Sequence, residues 1–186
     1  MAHRVDDVEA AEAAVRAYRE LSNGDAGGSA ELTYWLRELA ARRWERGEAE
    51  RAVEALTESV AGYRVHASRD PGMLPVLASA LTDLAYMRYR SDHDAAQAAE
   101  EAVTVYAELG EPYRLALALA LNNLSNCSTG AAALATQRRA ADVVRPLAPE
   151  HPSQAAMVLR NLAICLREAG QEQEADAVDA EARALG

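Results

Sequence analysis

The chain has 186 residues, half of them hydrophobic, and its 29 acidic groups outnumber 19 basic ones for a net charge of −10. Such a length buries a core without help from metals or disulfides, and the negative field repels the phosphate backbone that dominates nucleic-acid affinity. There is no apolar N-terminal leader and no run near the ~20 residues that cross a bilayer, so the sequence predicts a soluble, cytoplasmic protein with neither nucleic acid nor membrane as partner.

Ala, Leu and Val carry the apolar content, with no Phe and a single Ile, Ile164. Ala and Leu lose little on entering a helix, so an all-α fold is expected. Every basic residue is Arg, which reads as the codon usage of a GC-rich genome.

In chain order, the first predicted helix, 5–21, carries Ala14-Val15 with Tyr18 three residues on. The polar, glycine-rich stretch Ser22 to Ser29 reads as a flexible linker. The next helix, 31–46, holds Leu36-Arg37-Glu38-Leu39-Ala40, and Gly47 stands eight residues after Leu39, where a left-handed cap is wanted. Helix 49–65 repeats the first pattern as Ser59-Val60 with Tyr63. Asp70-Pro71-Gly72 marks a join, because Pro suits a first turn and cannot continue a helix. Helix 73–90 repeats the leucine pattern as Leu81 to Ala85, and helix 93–109 has Ala102-Val103 with Tyr106. Within helix 113–128, Leu115 to Leu121 alternates with period two, which alone suggests a strand. Residues 117–125 nevertheless superpose on 77–85 at an offset of 40, and Leu121 to Ser125 completes the leucine pattern, so helix is predicted. Helix 131–147 has Ala140-Ala141 with Val144, Glu150-His151-Pro152 marks a second join, and helix 153–169 carries Leu159 to Ala163 ahead of Gly170. Helix 171–184 closes the series with Ala177-Val178.

Two signatures thus alternate. The second leucine recurs at Leu39, Leu84, Leu124 and Leu162, intervals of 45, 40 and 38 residues, each the size of one helix–turn–helix unit. The layout is four repeats, at about 31–66, 73–110, 113–147 and 153–185, preceded by the half-repeat 5–21. Together they are read as one domain over 1–186.

With the segments Leu77 to Ala85, Tyr113 to Ser125 and Leu162 to Gly170 in view, the chain resembles the tetratricopeptide-repeat (TPR) family, in the kinesin-light-chain-like form found in actinobacterial proteins. It departs from the family where an aromatic usually follows the signature Leu by four residues, having Arg43, Arg88, Ser128 and Leu166 instead; the first helix of its third repeat is also shortened, ending near Gly130. The resemblance implies a right-handed α-solenoid whose first helices line a concave groove. It further implies a non-catalytic adaptor or scaffold that binds a protein or peptide, or alternatively a ligand-responsive regulatory module. Self-association is left open.

Counting −5, −2, +2 and +5 from each signature Leu selects the groove stripe. It comprises Tyr34, Arg37, Ala41 and Trp44; Ser79, Thr82, Tyr86 and Tyr89; Leu119, Asn122, Asn126 and Thr129; and Met157, Arg160, Ile164 and Arg167. Aromatic and Arg side chains are enriched interface anchors, and amides pair with extended backbone. Arg160 and Arg167 are expected to receive acidic groups or a C-terminal carboxylate on the partner.

Catalytic motifs are missing from the sequence: no phosphate loop, nucleophile elbow or zinc-protease pattern occurs. An enzyme remains only a remote alternative, resting on Tyr86, Tyr89, Asn122 and Asn126, and no cofactor or metal is expected. Asp92-His93-Asp94 reads as a capped helix start. Cys127 and Cys165 occupy equivalent places in adjacent repeats, beyond disulfide reach, and read as buried thiols. The acids of the second helices, Glu54, Glu58, Glu100, Glu101, Glu172, Glu174, Asp176 and Glu181, read as a solvated outer face.

Overall fold

The computed structural model describes residues 3–21 and 29–185, with side chains from Asp7 onward. Of the linker predicted at 22–29, residues 22–28 lie outside them. The described residues form nine α-helices: α1 (His3–Leu21), α2 (Ala30–Glu45), α3 (Ala49–Arg69), α4 (Leu74–Arg90), α5 (Ala96–Leu109), α6 (Arg114–Asn126), α7 (Gly130–Val144), α8 (Pro152–Glu168) and α9 (Glu172–Ala184). All nine match predicted segments, including the alternating Leu-Ala run, which is helical in α6. The chain divides into two compact units, Met1–His93 and Asp94–Gly186, with the boundary inside the repeat predicted at 73–110.

Helix ends follow local chemistry. Ser29 caps α2, its hydroxyl oxygen accepting from the Leu32 amide at 3.1 Å. Three first helices end in one motif, in which a residue with positive φ is followed by an amide that bonds back to the carbonyl four places after the signature Leu. Gly47 precedes Glu48 N to Arg43 O, Asp92 precedes His93 N to Arg88 O, and Gly170 precedes Gln171 N to Leu166 O, each 2.9 Å. Asp92, at φ 56°, does for α4 what glycine does for α2 and α8. The triplet read as a helix start is therefore divided: Asp92 ends α4, while the Asp94 carboxylate accepts from the Ala96 amide and starts α5. Short 3-10 turns with Pro71 at the first position and Pro112 and Pro146 at the second follow α3, α5 and α7.

The leucine signature lies in the core. In the N-terminal unit Leu36, Leu39, Leu81 and Leu84 are buried, as are Leu121, Leu159 and Leu162 in the C-terminal unit. Leu124 departs from this pattern, being only half-buried where α6 breaks off early at Asn126. The second signature is buried as well: Ser59 and Val60 with Tyr63, Ala102 and Val103 with Tyr106, and Ala140 and Ala141 with Val144. Each large side chain so buried contributes about 1.5–3 kcal/mol, and the alanines between them let helix axes approach closely. In place of the family's aromatic, Arg43 reaches the Arg51 carbonyl at 3.3 Å, Arg88 donates to the Thr57 hydroxyl at 3.3 Å, and Leu166 is fully buried.

Because a non-glycine residue in the left-handed region is strained, Asp92→Gly should stabilise the protein by about 0.5–1 kcal/mol and Gly170→Ala should destabilise it by about 1 kcal/mol or more. Chemical denaturation of the two variants beside the parent chain measures both shifts.

Candidate binding faces on the first helices

In the N-terminal unit, helical spacing brings Tyr34, Arg37 and Trp44 of α2 to the same side as Thr82, Tyr86 and Tyr89 of α4. Trp44 meets Tyr86 edge-on, with ring centroids 6.0 Å apart, and Tyr34 meets Trp35 at 5.5 Å. Tyr34, Tyr86 and Tyr89 are all exposed. Beside them lies a cavity of about 500 Å³, lined by Tyr34, Arg37 and Glu38 of α2, Leu56 and Tyr63 of α3, and Val76 and Asp83 of α4.

Arg37 forms the wall of that cavity and is already engaged. Its Nε and Nη2 both donate to Asp83 Oδ2, at 3.2 and 2.6 Å, and Nη2 also donates to Ser79 Oγ at 2.7 Å. The phenol of Tyr63, which lines the same cavity, is pushed up by burial and drawn partly back by this guanidinium. The Thr82 hydroxyl donates to the Ala78 carbonyl of its own helix at 2.8 Å, so its hydrogen is committed locally. Tyr63, Asp83 and Glu38 were outside the predicted stripe. Asp83 lies one position from its edge and four residues from Ser79, which is the signal that places both on one face.

In the C-terminal unit the predicted amides part company. Asn126 is exposed, but Asn122 is buried, and its Oδ1 accepts from Gln137 Nε2 at 2.9 Å and Asn161 Nδ2 at 2.8 Å. Asn122 is a core residue and offers no amide to a peptide backbone. Gln137, fully buried in α7, donates a second bond to the Val158 carbonyl at 2.9 Å. Asn122 and Arg37 hold the same place, two residues before the signature Leu, and each is tied to the residue one before the next signature Leu, Asn161 and Asp83 respectively.

Arg160 occupies that same place in α8. It is exposed and makes no ion pair among the described residues, and it is flanked by the exposed Met157 and Ile164. Arg167 is different: its guanidinium holds Asp179, with Asp176 at 3.3 Å and Glu172 at 3.9 Å, all from α9. Asp179, then Asp176, hold its pKa above the ordinary arginine value. The expectation that Arg167 awaits an acidic partner is therefore corrected, because its charge is met within the unit.

The outer acids face solvent, and besides Glu172 and Asp176 three of them also make ion pairs. Glu58 pairs with Arg19, Glu174 with Arg138 and Glu181 with Arg145, so that α1 is linked to α3, and α7 with the turn after it to α9, by Arg–Glu contacts one repeat apart. Glu181 raises the Arg145 pKa. Cys127 and Cys165 are free but half-buried rather than buried, and burial pushes both thiols up.

The sequence matches no family model and no curated protein. By structure, the chain is similar to nearly identical TPR-like repeats assigned to a kinesin light chain of Podosopora anserina, with a TM-score of 0.68, 20% identity, 98% of this chain covered and 86% of that one. A point variant of those repeats gives a TM-score of 0.69 with the same identity and coverage. The fold is TPR-like. It is an all-α helical repeat of the kinesin-light-chain-like form, in which the first helices of successive TPR-like repeats carry the exposed aromatic and Arg160 positions. Among the described residues no helix is long and apolar enough to cross a membrane.

Asn122→Ala strands the donors of Gln137 and Asn161 and should cost about 1–3 kcal/mol, with the exposed faces unchanged. Denaturant midpoints and partner affinity, measured on the same sample, separate the two effects.

Proposed function

We propose that this protein is a non-catalytic adaptor that holds partner proteins through short segments lying on its first-helix faces. One observation carries the reading. Of the six large apolar side chains that are exposed among the described residues, five (Tyr34, Tyr86, Tyr89, Met157 and Ile164) stand on the first-helix stripe and only Leu21 does not. Exposed apolar groups cost free energy to keep in water, and their concentration on one register marks an interaction surface.

Each unit has its own face. On the N-terminal unit, Tyr34, Trp44, Tyr86 and Tyr89 offer aromatic anchoring beside the cavity behind Arg37. On the C-terminal unit, Met157, Arg160 and Ile164 present a cation between two apolar side chains, with Asn126 on α6. This arrangement suits a segment bearing a carboxylate among apolar residues, or a C-terminal carboxylate. Asp83 is the internal precedent: at the equivalent place in the N-terminal unit, Arg37 receives a carboxylate from the neighbouring first helix. Arg160 receives the partner's carboxylate in the same way.

Selection from a displayed random-peptide library tests the proposal. Selected peptides should lose at least tenfold in affinity for Tyr86→Ala/Tyr89→Ala or for Arg160→Ala, those sensitive to Arg160 should carry Asp, Glu or a free C-terminus, and both variants should melt like the parent. Peptides that bind every variant unchanged would place the surface elsewhere and overturn the proposal.

A further inference from the structure

A second cavity, of about 380 Å³, opens between α1, α2 and α3 and shares no residue with the one behind Arg37. Its apolar part comes from Val15, Leu36, Leu39 and Ala55, all buried. Its polar part is three arginines, Arg16, Arg19 and Arg43, and three glutamates, Glu12, Glu54 and Glu58. Two of the arginines are matched: Arg19 to Glu58 at 2.5 Å and Arg43 to Glu12 at 2.9 Å, the latter contact holding the Glu12 carboxyl below its usual range.

Removing those two pairs leaves one cation and one anion. Among the described residues neither Arg16 nor Glu54 has an ion pair within 4.0 Å, and both line the cavity without being buried. In addition, Arg43 Nε is buried with no acceptor, an uncommon state for a guanidinium nitrogen. The cavity therefore has a positive charge, Arg16, that acts on Glu12 only through space, a negative charge, Glu54, without an ion pair, and an apolar floor.

We infer that this cavity binds a free aliphatic α-amino acid as its zwitterion, and this goes beyond the peptide-binding reading. The carboxylate pairs with Arg16, the ammonium pairs with Glu54, and the side chain covers Val15, Leu36, Leu39 and Ala55. A simple anion is disfavoured by the three glutamates on the same rim, and a simple cation by the three arginines. The volume lies near the lower end of ligand pockets, about 300–1,000 Å³, which suits one amino acid better than a peptide. Because α1 is joined to α3 across this space by Arg19 and Glu58, a bound amino acid adds a bridge between them, and its first effect is to tighten α1.

L-leucine is the probe, titrated calorimetrically into the full chain, with 4-methylpentanoate lacking the ammonium and 3-methylbutylamine lacking the carboxylate as comparators. Leucine should bind saturably, raise the melting temperature and slow amide exchange in α1. Both comparators should bind at least tenfold more weakly, and Arg16→Gln and Glu54→Gln should each weaken leucine by tenfold or more. No saturable leucine binding, a comparator as tight as leucine, or either variant binding normally overturns the inference. Tyr86→Ala/Tyr89→Ala should keep leucine binding, so failure here and failure of the peptide-binding faces are distinguishable.

Discussion

Everything in this molecule depends on leucines set three apart on a first helix closing against small residues of the helices beside it. Leu36 with Leu39, Leu81 with Leu84 and Leu159 with Leu162 are buried, and Ala40, Ala78, Ala85, Ala140 and Ala163 sit among them with essentially no exposure. Alanine allows the axes to approach, and leucine fills what remains. A helix of this kind cannot bury its apolar stripe alone, so each repeat is stable only through its neighbours. That requirement fixes the opposite side of every first helix as the one left over for polar ties or for partners.

The polar ties repeat with the fold. In the N-terminal unit Arg37 reaches Asp83, and at the same register in the C-terminal unit Asn122 reaches Asn161. Second helices, with the turn after α7, are linked by Arg19 with Glu58, Arg138 with Glu174 and Arg145 with Glu181. These outer pairs are exposed and worth at most about 1 kcal/mol each, so they guide register more than they hold the structure. The buried amides weigh more, since a donor stranded in the core carries its full desolvation cost.

Most of the fold was legible because two signatures alternate at a near-constant interval, and an interval survives local ambiguity such as the Leu-Ala alternation in α6. Asp92 was not recognised as a helix terminator, because an aspartate in the left-handed region looks no different in sequence from a capping aspartate. The exposed positions Tyr34, Tyr86, Tyr89, Met157 and Ile164 followed from helical phase alone. The roles of Arg37, Asn122 and Arg167 did not, because phase gives the direction of a side chain and not what it meets. For Arg167 a clue existed: Glu172, Asp176 and Asp179 are spaced four and three apart, which puts three carboxylates on one side of α9. For Asn122 there was none short of knowing that Gln137 turns inward.

The equivalent ties of the two units differ in kind. Arg37 and Asp83 are formal charges with side chains 28% and 43% exposed, within reach of dissolved ions. Asn122, Asn161 and Gln137 carry no net charge, and two of the three are buried. Ionic strength thus acts on one of these two ties and passes over the other: added salt loosens the grip of α2 on α4 while the amide tie of α6 to α8 keeps its hold. A protein built from one repeated plan in this way carries, at one and the same register, a tie that senses its electrolyte and a tie that does not.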